Sequence, residues 1–133
     1  MSAEAFDRDA LIRYRLEQAR TTLRDAQLLA AGEGSPHSIV NRAYYAMFYA
    51  AQALLLSHGI QVAKHSGALA LFDQQFVKPG LLPKEMSKAL HRAFEWRQIG
   101  DYRVWHFTNE QALEILQQAE AFVQTVHAYL AQQ

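Results

Sequence analysis

The chain has no cysteine among its 133 residues. Disulfides, thiol catalysis and cysteine-ligated metals are therefore excluded. It also lacks a net charge, with 13 Lys+Arg against 13 Asp+Glu. A uniformly basic nucleic-acid binder would carry an excess of cations, so only a local basic patch remains open to this chain. Valine and isoleucine are sparse, and no period-two alternation competes with the helical pattern. The apolar stretch 41–56 is too short and too aromatic for a membrane span, which needs about 20 apolar residues. The N-terminal "MSAEAFDRDALIRYRLE" is charged early and has no apolar signal core. A soluble cytoplasmic protein is expected. Phosphate-loop and dinucleotide glycine motifs are missing, as are HExxH and the paired Glu-x-x-His of di-iron bundles. Neither a metal nor any other cofactor is expected.

What is present is helix. Ala, Leu and Gln are abundant, half the residues are hydrophobic, and the glycines and prolines fall between periodic segments. The first helix is expected over Asp7 to Ala31, with Leu16, Ala19, Leu23, Ala26 and Ala30 as its apolar stripe. Ser35 is placed to cap a second helix, with Pro36 at its first position and its end near Ser57. This second helix has two apolar sides. Tyr45, Tyr49, Ala53 and Leu56 lie on one, with Arg42 at the head of that stripe, and Tyr44, Phe48, Ala51 and Leu55 lie opposite. Such a helix belongs at the centre of a bundle. A short third helix carries "GALALFDQQFV", with Leu69, Phe72 and Phe76 on one face. A fourth starts at Pro83, has Met86, Leu90, Ala93 and Phe94 as its stripe, and stops at Gly100. The fifth opens on a capping box, Thr108 with Gln111, and turns Ala112, Ile115, Leu116, Ala119, Phe122, Val123 and Val126 inward. The expected fold is an all-α antiparallel bundle of about four long helices and one short one, filling residues 1–133 as a single domain.

Two arginines sit where burial is expected. A guanidinium keeps its charge and is costly to bury unpaired. Arg42 and Arg97 therefore each require a carboxylate or a wet cleft, and Asp25, Glu95 and Asp101 are the acids within reach. Arg42 is expected to point inward and form a structural ion pair with an acid of another helix. Arg97 ends the stripe of the fourth helix and is followed by Gln98, Asp101, Tyr102, Arg103 and His106. Together these offer a cation, a carboxylate, a phenol and an imidazole around one phosphate-sized site. Six Lys/Arg against three acids between Lys78 and His106 add a mild basic bias.

The segments "NRAYYAMFYAAQALLLSHGI", "KHSGALALFDQQFVKPGLLP" and "FEWRQIGDY", in this order and spacing, resemble the HEPN domain family (higher eukaryotes and prokaryotes nucleotide-binding), closest to its small stand-alone prokaryotic members. The resemblance implies a helical bundle that forms a homodimer. It also implies a minimal nucleotidyltransferase partner in a toxin–antitoxin pair, and an RNA or nucleotide ligand. Many members are metal-independent ribonucleases whose motif is an Arg, four to six residues, then a His. Arg97 fits the arginine, but residues 102–104 are Tyr102, Arg103 and Val104, and His106 lies beyond the window. On this reading Arg97, Asp101 and Tyr102 are the catalytic candidates. Arg97, Gln98, Arg103 and His106 are the RNA- or nucleotide-binding candidates. Tyr102 also stands where a partner nucleotidyltransferase would modify a tyrosine. The competing expectation is a non-catalytic homodimeric helical interaction module whose arginines are staples. Full burial of Arg97 between two carboxylates favours the staple, and an accessible groove favours the binding site.

Overall fold

A computed structural model of the chain describes the backbone of residues 3–102 and 106–133 and the side chains of residues 7–101 and 106–133. The elements are α1 (Ala3–Ala31), α2 (Pro36–Ser57), α3 (His65–Phe72) running into a π-helical turn (Asp73–Val77), α4 (Lys84–Tyr102) and α5 (Asn109–Ala131). All are helical, and α2 packs against α1, α3, α4 and α5. The all-α bundle expected from the sequence is the one observed. Among the described residues no helix is long and apolar enough to cross a membrane.

The central position of α2 follows from its composition. Ala43, Ala46, Ala50, Ala51 and Ala53 are fully buried, and their small side chains let neighbouring helices approach closely. Between them Tyr44, Met47, Leu54 and Leu55 fill the gaps with no exposed surface. Large buried side chains of this kind each contribute about 1.5–3 kcal/mol. The helix starts where Ser35 Oγ accepts from the Ser38 N–H at 3.1 Å, with Pro36 at the first position. It ends before Gly59, whose φ of 76° takes the left-handed turn that suits glycine.

The outer helices follow their stripes. On α5 the buried residues are the seven read from its periodicity. On α4 Met86, Leu90 and Ala93 are buried, and Phe94 is half-buried. On α1 Ala19 and Ala26 are fully buried, and Leu16 and Leu23 pack beside them.

Three boundaries differ from expectation. Helix α1 begins at Ala3, four residues before Asp7. The third helix is not uniform: after Phe72 the backbone widens, and the Lys78 N–H bonds to the Asp73 carbonyl at 2.8 Å. Gly100 does not stop α4, which continues through it to Tyr102. Its reason is close approach. A Cβ there would fall 2.6 Å from His37 Nδ1 and 3.1 Å from Phe107 Cε2. The missing side chain lets the last turn of α4 lie against the first turn of α2.

The start of α5 is the best-defined junction. Thr108 Oγ1 accepts from the Gln111 N–H at 3.0 Å, and Gln111 Oε1 accepts from the Thr108 N–H at 2.9 Å. Phe107, just before the cap, is buried and stacks on Trp96 of α4 with ring centroids 5.5 Å apart. Replacing Thr108 by Ala leaves the Gln111 N–H without its acceptor. The expected loss is about 1 kcal/mol, which a thermal melt followed by circular dichroism should read as a fall of about 4 °C in Tm.

Candidate functional site

The first stripe of α2 changes character along its length. Ala53 and Leu56, near the C-terminal end, are buried. Arg42, Tyr45 and Tyr49, nearer the N-terminal end, are only half-buried. The last turn of α4 comes down beside this wetter end, which is where Gly100 permits the approach.

Tyr45 is the centre of the resulting cluster. The Arg42 guanidinium, one turn away on α2, lies over its ring at 5.2 Å from the centroid. The Arg97 guanidinium, arriving from α4, lies over the same ring at 5.3 Å. Each is placed for a cation–π contact, in which the negative face of the ring attracts the charge. The fold thus brings together two arginines that are far apart in sequence.

Arg97 has one carboxylate neighbour among the described residues. Its Nε is 2.8 Å from Asp101 Oδ2, one helical turn on, with side-chain exposures of 18% and 23%. The Nε–H is nevertheless not aimed at an acceptor and stays without a hydrogen bond, so the attraction to Asp101 is that of charge at short range. On its other side, Asp101 Oδ1 is 3.4 Å from His37 Nε2 at the start of α2. Arg97 is therefore neither fully enclosed nor held between two carboxylates.

The expected ion pair of Arg42 with an acid of another helix is not found among the described residues. Its Nε and Nη2 donate at 3.1 and 2.9 Å to Asn41 Oδ1, a neutral amide oxygen next door. The physical reason is competition. Asp101 is engaged by Arg97 and faces His37, while Asp25 and Glu95 sit on exposed positions of their helices.

The remaining candidates are distributed unevenly. Gln98 is exposed on α4, and His106 is exposed just ahead of the α5 cap. Tyr102 is the last residue of α4; its side chain, and all of Arg103, lie outside the described residues.

A histidine passed over in the sequence joins the cluster. His65 opens α3, and its ring stacks on Phe48 at 4.2 Å and meets Tyr45 edge-on at 5.6 Å. Its Nδ1 is 2.6 Å from the hydroxyl of the fully buried Tyr44. Burial pushes the Tyr44 phenol up from its ordinary range, with Arg97 opposing the shift in part. The phenol therefore keeps its proton and shares one hydrogen bond with Nδ1. Burial, and secondarily the Arg97 charge, lower the His65 pKa from 6.5, so the ring is neutral at neutral pH. Gln52 fixes the approach to this residue: from inside α2 its Nε2 donates to the Val62 carbonyl at 3.0 Å. The signal was in the periodicity. The stripe Leu69, Phe72 and Phe76, extended back by one turn, lands on His65. Among the described residues no three His, Asp or Glu side chains cluster to hold a metal ion.

The His65 shift has a definite sign. Between the lowered folded value and 6.5 the unfolded chain binds the proton and the folded chain does not. The stability from this group is complete above pH 6.5 and is lost as the pH falls through the folded value. In urea unfolding at about pH 7.5 and about pH 5, the wild type should lose more stability on acidification than His65→Gln. Glutamine accepts the Tyr44 hydrogen bond without titrating, so equal losses in the two proteins contradict the assignment.

Two guanidiniums and a neutral imidazole thus pack on one half-buried phenol ring, with one carboxylate beside Arg97, and this set of charges is suited to an anion. The HEPN domain family model matches residues 12–129. A Thermotoga maritima relative named "UPF0332 protein" is 42% identical over 121 residues, covering 90% of this chain and 91% of the relative. A Methanocaldococcus jannaschii relative named "Putative toxin MJ0142" is 32% identical over 125 residues, covering 90% of this chain and 85% of the relative. The crystal structure of TT1696 from Thermus thermophilus superposes with a TM-score of 0.73 over 89% of this chain and 97% of that one, at 24% identity, and shares the fold. With the family model spanning α2, α3, α4 and most of α1 and α5, this chain belongs to the HEPN domain family.

Proposed function

We propose that this HEPN protein is a toxin-type component that binds RNA through its phosphates, with Arg97 as the principal contact. The observation that carries this reading is the environment of Arg97. Its guanidinium lies over the Tyr45 ring, as does that of Arg42, and Asp101 is the one carboxylate that meets this pair of charges among the described residues. An arginine serving only as a staple gains most when its donors are saturated by carboxylates. Two guanidiniums that share a single carboxylate are suited to a ligand that brings negative oxygens. A phosphodiester does so, and arginine's planar fork matches it.

The role of each neighbour follows from its chemistry. Asp101 holds the Arg97 guanidinium against Tyr45 and limits its rotation. Gln98, Arg103 and His106 extend the contact along the strand. Tyr102, adjoining Asp101, is the position open to modification by a nucleotidyltransferase. That enzyme is the proposed antitoxin partner, and the toxin name carried by a relative similar over nine-tenths of this chain supports such a pairing. The working form in this proposal is a homodimer in which two Arg97 clefts face one strand.

Cleavage would require a group that takes the proton from a ribose 2′-hydroxyl, and residues 102–104 contain no histidine. His65 is tied to Tyr44 through Nδ1 and stacked on Phe48, and it has no proton-transfer role in this proposal. Asp101 is the carboxylate nearest to Arg97 and the candidate base.

Binding and cleavage of a single-stranded RNA in EDTA test the proposal in one experiment. Arg97→Ala should bind about 10- to 100-fold more weakly, since a hydrogen bond to a charged group contributes about 1.5–3 kcal/mol. Cleavage by the wild type and not by Arg97→Ala identifies a metal-independent ribonuclease with Arg97 at its centre. A wild type that neither binds nor cuts RNA rejects the reading and leaves a structural helical module in its place.

A further inference from the structure

We infer that Arg42 is a second anion-binding residue of the same site, taking a phosphate of the RNA strand next to the one held by Arg97. This inference rests on the RNA-binding reading of Arg97 and extends it to a residue whose sequence position suggested a structural ion pair.

Three observations carry it. First, Arg42 makes no ion pair among the described residues. Its Nε and Nη2 converge on the single neutral oxygen of Asn41, and Nη1 has no partner there. The N–H groups of its fixed fork are thus only partly used. Second, the two guanidiniums share one ring. Their Cζ atoms are 5.2 and 5.3 Å from the Tyr45 centroid and can be no farther apart than the sum of those distances. That bound is short on the scale of an oligonucleotide, so in this proposal one strand meets both. Third, the charges do not balance. Asp101 is the one carboxylate that meets either guanidinium among the described residues, so the two half-buried arginines leave an excess of one positive charge. Like charges held together at reduced solvation destabilise the empty site, and an anion that bridges them relieves both effects. Asn41 then has the function of aiming the Arg42 fork without neutralising it. An aspartate there would aim it equally well and cancel the charge.

The salt dependence of RNA binding separates this role from a structural one. Each phosphate neutralised on a single strand contributes about 0.7 to the slope of log K against log salt. The probe is a 2′-O-methyl oligoribonucleotide, which binds but lacks the free hydroxyl needed for cleavage. Arg42→Gln should reduce the magnitude of the slope by about 0.7 and Arg42→Lys should keep it. Asn41→Asp leaves Arg42 present and its hydrogen bonds possible, so it guards against a variant that fails to fold. It too should lower the slope, and by a similar amount, while the melting temperature holds or rises. An unchanged slope in folded Arg42→Gln, or in Asn41→Asp, overturns the inference and returns Arg42 to a structural role. If the wild type does not bind the oligonucleotide at all, the RNA-binding reading itself fails, and the Arg42 inference falls with it.

Discussion

A guanidinium keeps its charge at every accessible pH, and this chain sets one near the head of the helix that the whole bundle is packed around. Helix α2 is enclosed on most sides because its alanines admit close neighbours and its large apolar residues fill the remaining space. Arg42 cannot follow those residues inward without a partner. One side of the first turns of α2, at Arg42, Tyr45 and Tyr49, is accordingly left half-buried, and Arg97 from the last turns of α4 lies against it. That half-buried patch is the candidate site. Its position results from the conflict between burying the rest of α2 and leaving a permanent charge solvated.

The aromatic residues give this patch its geometry. Tyr45 presents its ring to both guanidiniums, and cation–π attraction replaces part of the hydration that each loses. Behind it, Tyr44 and Phe48 hold His65 by a hydrogen bond and a stacked ring. The hydrogen bond orients the ring, and burial lowers its pKa. Gly100 completes the geometry by leaving room for His37 and Phe107, so that Asp101 reaches both α2 and Arg97. Each contact is modest alone. Together they fix two cations and one anion around a single ring.

Arg42 and Arg97 differ in the partners that the fold gives them. Both were candidates for buried ion pairs, because both lie on apolar stripes. The distinction depends on the supply of acids at one place. Asp25 and Glu95 are near enough along the chain to be considered, but their helices turn them outward. That leaves Asp101, already committed to Arg97. The Arg42 charge is consequently held by a neutral amide, which is a weak reason to retain an arginine for stability alone.

Local chemistry settled much of this protein in advance. The caps at Ser35 and Thr108, the boundaries of α2 and the buried face of α5 follow from near-neighbour hydrogen bonds and a period of 3.6 residues, both of which are written along the chain. The prominence of Arg97 was legible too, since its stripe and the polar residues after it are adjacent in sequence. The backbone widening after Phe72, the run of α4 through Gly100, the partner of Arg42 and the inclusion of His65 were decided only by the tertiary structure. Each depends on what another helix places at that point in space. A hydrogen-bonding period can be read from residues three and four apart, but competition for one carboxylate or the meeting of two charges over one ring is decided by residues that only folding brings together.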